Sequence, residues 1–367
     1  MLKRLYADNF RALVNFEFRP GRLNLLLGDN GSGKTSVFDV LGKVRDLIVL
    51  GFPAGDLFSY SRTRWDTRDI QRFELDVAGK AGTFRYSLEL QHPPENPERA
   101  FIRAESVTFE GSLLFRFSAG EVQLFQADQV ASPAFPFGSE RSYLQNIDPQ
   151  SRLKMPGLVE FKSLLAGLWI VQPNPFATDA YSRQEDFFLA RDGNNLASFF
   201  NHLNAEYPEA RTELERRLSE ALPGFRNFSL HRMGDQKLLR ATFHQNDQQM
   251  SLGFRELSEG QRTLAILYAA MAGLWGNSSL VCFDEPDNFV SLPEIQPWLQ
   301  LLRDTVEERG GQAMVISHHP EVMDYLALDS VWQFERSSGP VRVRPYEREA
   351  SPDTDALKLS ELVARGM

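Results

Sequence analysis

The stretch "RLNLLLGDNGSGKTSVFDVLGKVRDLIVL", residues 22–50, decides the fold. An apolar run leads directly into the glycine-rich segment GDNGSGKT at 28–35, and a longer run with helical spacing of apolar residues follows it. This order predicts a buried strand, a tight loop and a helix. The expected architecture is therefore of the α/β class.

The loop at 28–35 matches the phosphate-binding pattern G-x-x-x-x-G-K-[ST]. Glycines allow backbone N–H groups to turn inward around phosphate oxygens, and the start of the helix adds its positive end. We expect the lysine to reach the β- and γ-phosphates and the threonine hydroxyl to bind Mg²⁺. A tight glycine turn without a ligand is the weaker alternative. The expected cofactors are ATP and Mg²⁺, and the residues expected to bind them are Asn30, Gly31, Ser32, Gly33, Lys34 and Thr35.

A second group of candidates lies in "LVCFDEP", residues 280–286, where an acidic pair ends an apolar run. Adjacent residues on a strand face opposite ways, so one carboxylate can meet Mg²⁺ while the other addresses a water molecule. We assign Asp284 to the metal and Glu285 to the general base. Alone, such a pair is an ordinary solvated strand end; after a phosphate loop in the same chain, the catalytic interpretation is favoured.

A third stretch, "LSEGQRTLAI" at 257–266, predicts another helix start. Ser258 and Gln261 fit a capping box, and apolar residues from Leu264 to Met271 continue a buried helix. Gly260 is unexpected there, because glycine weakens a helix and offers close backbone approach instead. Two anion-binding helix starts in one chain suggest two different contacts with nucleotide.

Between these motifs the periodicity changes twice. Residues 70–126 alternate with period two and predict an antiparallel meander, whereas 193–223 is helical with an interruption at Pro208. Two more strands, FRNFSLHR and KLLRATFH, precede the third stretch, and the helix EIQPWLQLLRDTVEERG separates the apolar strands at 280–283 and 314–317.

Composition excludes several classes of protein. The 367 residues carry a net charge of −9, which disfavours a protein that coats nucleic acid over its whole surface. The single cysteine, Cys282, excludes an internal disulfide and a cysteine-based metal cluster. No apolar run is long enough to span a bilayer, so we expect a cytoplasmic protein without a membrane partner. Arginines gather near the N-terminus and at 62–72, where a solvated face is the favoured interpretation.

The segment LSEGQ resembles the signature motif of ABC-type ATPases, most often LSGGQ. The order of phosphate loop, signature, acidic pair and "VISHHPE" at 315–321 is similar to that superfamily throughout. The resemblance implies a head-to-tail homodimer in which the signature of one subunit contacts the ATP of the other. It assigns that contact to Ser258, Gly260 and Gln261, and it assigns the catalytic switch histidine to His318, with His319 as a neighbour. Asp287 lies in the place of the interface-lining D-loop, while the glutamine that contacts Mg²⁺ is Gln145 or Gln172.

The long interval between phosphate loop and signature, residues 36–256, is unlike that of transporter subunits. "LYADNFRAL" at 5–13 is instead similar to the RecF, SMC and OLD group, which implies that Arg11 lies near the nucleotide. "LARDGNNLASFFNHL" at 189–203 resembles compact AAA-type ATPases related to the OLD family, many of them tied to phage defence. No coiled-coil array is visible, and we expect no Toprim nuclease domain after the switch histidine.

The expected fold is therefore a P-loop NTPase of the ABC-ATPase type, with an antiparallel β subdomain and a helical lobe inserted between phosphate loop and signature. We expect one ATPase domain, 1–367, in two lobes: 1–130 with 225–345 for nucleotide, and 131–224 as a mostly helical insertion.

Three functions fit these features. The first is a Mg-ATP-hydrolysing ATPase that dimerises around ATP and controls a separate effector, such as a nuclease or toxin, in anti-phage defence. The second is a RecF-like DNA-repair ATPase that binds DNA. The third is a nucleotide-sensing scaffold with little hydrolysis, against which the intact Asp284, Glu285 and His318 argue.

Overall fold

The computed structural model describes residues 1–125, 130–148, 155–246, 248–274, 280–326, 330–346 and 358–364. The chain forms two units, the first from 1–168 with 330–346 and the second from 169–329 with 347–367. Residues 131–148 and the helix Pro156–Ala166 belong to the first unit. Elements are numbered in chain order.

An eight-stranded antiparallel sheet forms most of the first unit. Its strands run in the order β2-β1-β4-β5-β6-β7-β8-β9, with bounds β1 Leu2–Asp8, β2 Phe16–Phe18, β4 Ile70–Ala78, β5 Thr83–Gln91, β6 Phe101–Phe109, β7 Ser112–Ser118, β8 Glu121–Leu124 and β9 Phe135–Pro136. The meander expected from the period-two alternation at 70–126 is confirmed. Helix α3, Pro156–Ala166, places Phe161 against Phe84 and Tyr86 of β5.

The phosphate-loop segment of the first unit begins with β3, Leu23–Leu27, in which every residue is buried. The strand runs into α1, Lys34–Arg45, which continues as a π-helix at Asp46–Leu50 and is followed by α2, Ala54–Phe58. The predicted strand, loop and helix are thus confirmed, with a change of helix type in the last turn. Strand β17, Ser330–Glu335, pairs in parallel with β3, and β18, Arg342–Pro345, pairs with β17.

The second unit contains two helices and a small sheet before the signature. Strand β10, Leu168–Val171, starts at the unit boundary. Pro208 begins α5, so the expected proline interruption is the junction between α4, Leu196–Glu206, and α5, Pro208–Ala221. Strand β13 pairs with the other three strands of an antiparallel sheet. Their bounds are β11 Tyr181–Ser182, β12 Phe225–Met233, β13 Gln236–Gln245 and β14 Gln248–Gly253.

The remaining elements of the second unit carry the other motifs. Strands β15, Leu280–Asp284, and β16, Gln312–Ile316, are parallel and wholly buried, as their unalternating apolar sequence predicts. The helices are α6 Glu259–Leu274, α7 Leu292–Arg309, α8 Pro320–Leu326 and α9 Leu359–Ala364. Phe283 of β15 meets Trp298 of α7 edge to face at 4.7 Å. Among the described residues, no helix has the length and apolar character needed to cross a membrane.

Candidate functional site

The phosphate loop of the first unit has the backbone of an anion cradle. Gly31 and Gly33 have φ of 81° and 99°, a left-handed conformation that few other residues adopt without strain. No acceptor for the N–H groups of these two glycines is found among the described residues. Lys34 is almost buried and its Nζ donates to the carbonyl oxygens of Gly28 and Asp29, at 2.5 and 3.0 Å. The loop therefore contains two N–H groups without acceptors among the described residues, those of Gly31 and Gly33, together with the side chain of Lys34.

Neighbouring backbone holds this loop in place. A Cβ added to Gly28 would lie 2.2 Å from the carbonyl oxygen of Phe334, and one added to Gly33 would lie 2.6 Å from Val341 Cγ2. The segment after β17 is also tied to residues before the loop, since Val341 N donates to Ala12 O at 2.9 Å. Larger residues at either glycine would push the loop away from its support.

Arg11 lies at the same part of the first unit. Its guanidinium forms an ion pair with Asp39, which lies on α1 five residues after Lys34. Arg11 has a φ of 51°, and its N–H donates to Ser61 O at 2.7 Å. The structure thus ties Arg11 to the helix that follows the phosphate loop.

The signature helix α6 of the second unit starts with the expected capping box. Ser258 N donates to Gln261 Oε1 at 3.0 Å, and Gln261 N donates to Ser258 Oγ at 3.2 Å. The structure also explains why residue 260 is a glycine. A Cβ added to Gly260 would lie 2.8 Å from the carbonyl oxygen of Phe289, which belongs to the segment after the acidic pair. The structure therefore brings the signature and that segment together.

The acidic pair follows a different geometry from simple strand alternation. Asp284 ends β15 and is only 2% exposed, whereas Glu285 has a φ of 50° and leaves the strand. Glu285 N donates to Ile316 O at 2.8 Å, and Glu285 Oε2 accepts from Asn288 Nδ2 at 2.7 Å. The two carboxylates separate because the backbone turns at Glu285, and Asn288 fixes the direction of the second one.

The adjacent histidines have different surroundings. His319 Nδ1 accepts from Glu321 N at 3.2 Å in the first turn of α8, so the proton of the neutral ring lies on Nε2. His318 is exposed, and no hydrogen-bond partner for its ring is found among the described residues. Of the two, His318 is the more exposed to solvent, and its role as the switch histidine remains a prediction.

The two glutamines considered for the Mg²⁺ contact also differ. Gln145 lies in a 3-10 helix of the first unit, Tyr143–Asn146. Its backbone carbonyl oxygen accepts from Lys162 Nζ at 2.5 Å. Gln172 is exposed immediately after β10, and its N–H donates to Arg191 O at 2.7 Å. Arg191 in turn lies 3.4 Å from Asp284, which brings Gln172 into the neighbourhood of the metal candidate.

Sequence reasoning missed Arg191 and Asn288 as parts of this arrangement. Both lie in segments that had been singled out, "LARDGNNLASFFNHL" and "EPDNFV", but no pattern showed which side chain each one contacts. Their partners, Asp284 and Glu285, depend on how the chain folds back, a kind of information that spacing along the sequence does not hold.

The oxygen donors within each unit are of the kind that Mg²⁺ uses when it binds together with nucleotide. Among the described residues there is no group of three or more His, Cys, Asp or Glu side chains that could hold a metal alone. Mg²⁺ commonly binds through one or two protein oxygens plus phosphate oxygens and water, rather than in an all-protein cage. The Thr35 hydroxyl of the first unit is one oxygen of the kind that this mode uses, and the Asp284 carboxylate of the second unit is, taken by itself, another.

A protein-family model covers most of these features. Residues 23–324 match the family described as "AAA domain, putative AbiEii toxin, Type IV TA system". The chain belongs to this AAA family. The match includes the phosphate loop, the signature and the acidic pair, and it supports the resemblance to ABC-type P-loop ATPases of the RecF and SMC group.

Three proteins that are similar to this AAA-family chain share little sequence with it. Protein ea59 of Escherichia phage lambda is 27% identical over 101 residues, which are 28% of this chain and 19% of that protein. The SMC head domain from Thermotoga maritima is 15% identical with a TM-score of 0.50, covering 94% of this chain and 99% of that one. An SMC head bound to the C-winged helix domain of ScpA is 13% identical with a TM-score of 0.57, covering 95% and 98%. The two structural similarities confirm an α/β fold like that of SMC head domains.

Proposed function

We propose that this chain binds and hydrolyses Mg-ATP, dimerises around the nucleotide and thereby controls a separate effector protein in defence against phage. The observation that carries the proposal is the backbone of the phosphate loop. Left-handed Gly31 and Gly33 leave their N–H groups without acceptors among the described residues, beside the buried Lys34. Converging N–H groups at the start of a helix favour phosphate.

The roles that we propose for individual residues come from the sequence motifs that contain them. By these motifs, residues 30–35 would hold the phosphates with Arg11 near the nucleotide, and Thr35 and Asp284 would bind Mg²⁺, which would neutralise phosphate charge. Glu285 accepts a proton from the attacking water, and His318 contacts the γ-phosphate. Gln172 is our choice for the glutamine near Mg²⁺, because its neighbour Arg191 adjoins Asp284.

Dimerisation would use the second helix start. Ser258, Gly260 and Gln261 open the sixteen-residue helix α6, and Ser258 is exposed. A long helix with an exposed, capped N-terminus can receive the γ-phosphate of ATP held by another copy of the chain. Asp287 would then lie at the interface, since its segment contacts Gly260 through Phe289.

Control of a separate effector is supported by the comparisons. The family description names a putative toxin of a toxin–antitoxin system, and one similar SMC head is bound to a domain of another protein, ScpA. A nuclease or toxin is the kind of effector we propose for this chain.

The DNA-repair alternative has less support from the described residues. Arg4 pairs with Glu17 and Glu74, Arg68 pairs with Asp8 and Asp66, and Arg72 pairs with Glu89. Arginines neutralised in this way contribute little to phosphate binding. Duplex DNA binding that increases with ATP and falls steeply with salt would restore this alternative.

Equilibrium binding tests the proposal most simply. Lys34→Ala is expected to lower the affinity for Mg-ATP at least about a hundredfold, since it removes a buried charge from the phosphates. Lys3→Ala, an exposed lysine of the same unit, is the matched control and should bind as the unaltered protein does. Calorimetry that finds no ATP binding to the unaltered protein would refute the proposal.

A further inference from the structure

An arginine of the second unit lies next to the carboxylate proposed to bind metal. Arg191 Nη2 lies 3.4 Å from Asp284 Oδ2, and the two side chains are 36% and 2% exposed. A carboxylate buried to that extent is stable only where donors or positive charge compensate for its lost hydration. The guanidinium of Arg191 is one such group.

The turn that carries Arg191 is fixed by hydrogen bonds on both sides. Ala190 N donates to Asn195 Oδ1 at 2.8 Å, and Gly193 N donates to Ala190 O at 2.9 Å. The carbonyl oxygen of Arg191 itself accepts from Gln172 N at 2.7 Å. The position of the Arg191 guanidinium therefore depends on the position of the whole turn.

This turn packs directly on the signature helix. Gly193 has a φ of 74°, and a Cβ added to it would lie 2.7 Å from Ile266 Cδ1 and Cγ1. Ile266 is fully buried within α6, the helix whose start is capped by Ser258. Densely packed groups of this kind transmit displacement, since there is no free space to absorb it.

We infer that Arg191 is a positioning residue that competes with Mg²⁺ for Asp284 and links that carboxylate to the position of helix α6. The inference rests on the proposed binding of Mg-ATP. Guanidinium and metal both require the carboxylate oxygens, so a tighter ion pair weakens metal binding. A shift of α6, when its N-terminus meets the phosphate of another subunit's ATP, moves Arg191 and resets the Mg²⁺ affinity of its own subunit.

The first test compares two charge-neutralising variants. Arg191→Gln removes the competing charge, whereas Arg255→Gln removes an arginine from an exposed pair of similar length, 3.5 Å to Asp179. Binding of radiolabelled ATP at a fixed subsaturating concentration is followed by equilibrium dialysis while MgCl₂ is titrated. Arg191→Gln is expected to lower the half-saturating Mg²⁺ concentration by about threefold or more, and Arg255→Gln to leave it unchanged.

Thermal unfolding gives an independent measure of the same competition. Without MgCl₂, Arg191→Gln should melt at a lower temperature than the unaltered protein, because Asp284 loses a counter-charge. Addition of ATP and MgCl₂ should raise the melting temperature of Arg191→Gln by more than it raises that of the unaltered protein. Arg191→Lys keeps the charge but loses the planar guanidinium, so its half-saturating Mg²⁺ concentration should lie between those of the unaltered protein and Arg191→Gln.

The link to α6 is tested by a double-mutant cycle. Gly193→Ala forces a methyl group against Ile266 and should displace the turn, thereby lowering the half-saturating Mg²⁺ concentration as Arg191→Gln does. In the double variant the second substitution should add nothing, because both act through the same ion pair. Additive effects would overturn the link.

The outcomes separate the inference from the function on which it rests. If the unaltered protein shows no Mg²⁺-dependent ATP binding, both are wrong. If it binds Mg-ATP but Arg191→Gln and Arg191→Lys have the Mg²⁺ dependence of Arg255→Gln, only the inference is wrong.

Discussion

Among single residues, Glu105 of β6 has an unusual environment. Its carboxyl group is buried in the first unit, where Oε1 accepts from Ser142 Oγ at 2.7 Å and from the Tyr86 hydroxyl at 2.9 Å. Burial raises its pKa from the ordinary 4.5 to about 7, although the two hydrogen bonds favour the charged form. Burial has the larger effect because the whole carboxyl group is removed from water.

This pKa predicts a pH-dependent effect of Glu105→Gln on stability. Between pH 4.5 and 7 the folded protein keeps a proton that the unfolded chain has lost, so its free energy of unfolding falls as pH rises. The glutamine variant has no such proton to lose, so its stability relative to the unaltered protein should rise by up to about 3 kcal/mol between about pH 4.5 and about pH 8. Urea unfolding at pH 4.5 and 8 measures the difference. Glu121→Gln, at an exposed position of the same sheet, is the control; a pH-independent difference for Glu105→Gln would contradict the account.

Asn288 should matter for turnover more than for nucleotide binding. Its Nδ2 donates to Glu285 Oε2 at 2.7 Å and holds the proposed general base in one direction. Asn288→Ala is expected to lower kcat for ATP hydrolysis about tenfold with little change in KM, as loss of one positioning hydrogen bond does. Asn288→Asp should be worse, because it places a like charge beside Glu285. A raised KM with unchanged kcat, in steady-state assays, would argue against this role.

From the sequence alone, the only individual site residues that could be identified were those that belong to contiguous motifs. Lys34 and Thr35 were assigned because the phosphate-loop pattern itself specifies the chemistry. Arg191 contacts Asp284, which lies 93 positions later in the chain, and that pairing is a property of the fold.

At the scale of elements, the helix starts were predictable because caps are local. The reciprocal bonds between Ser258 and Gln261 involve residues three apart, and sequence alone indicated them. Strand β14, Gln248–Gly253, was not predicted, since none of its residues is buried and it lies in the sheet through backbone pairing with β13. The sequence also does not indicate that Gly260 packs closely against Phe289, although it marks Gly260 as an unusual residue for a helix start.

Two capped helices of the second unit allow a matched comparison. At the start of the signature helix Ser258 Oγ accepts from Gln261 N at 3.2 Å, and at the start of α7 Ser291 Oγ donates to Glu294 Oε2 at 2.5 Å. Loss of either cap by substitution with alanine should cost about 1 kcal/mol of unfolding free energy. Only Ser258→Ala should also weaken ATP-dependent dimerisation, measured by sedimentation over a range of protein concentrations. Equal dimerisation of the two variants would remove Ser258 from the interface.

For the whole molecule, sequence indicated the class of fold but not the division of the chain. The order of motifs and the change of periodicity were sufficient for an α/β ATPase with an antiparallel β subdomain, which the comparisons confirm. The limits of the two units depend on long-range pairing, as when β17 joins β3 across about three hundred residues. The proposed lobe at 131–224 remains a prediction.

The central claim is that ATP joins two copies of the chain through the signature. Light scattering of Glu285→Gln, with and without ATP and Mg²⁺, tests it most directly, because a variant without its general base should hold ATP unhydrolysed. The account predicts the mass of a monomer without nucleotide and that of a dimer with Mg-ATP, with a smaller fraction of dimer when Ser258→Ala is added. A monomer that binds Mg-ATP yet keeps its mass would contradict it.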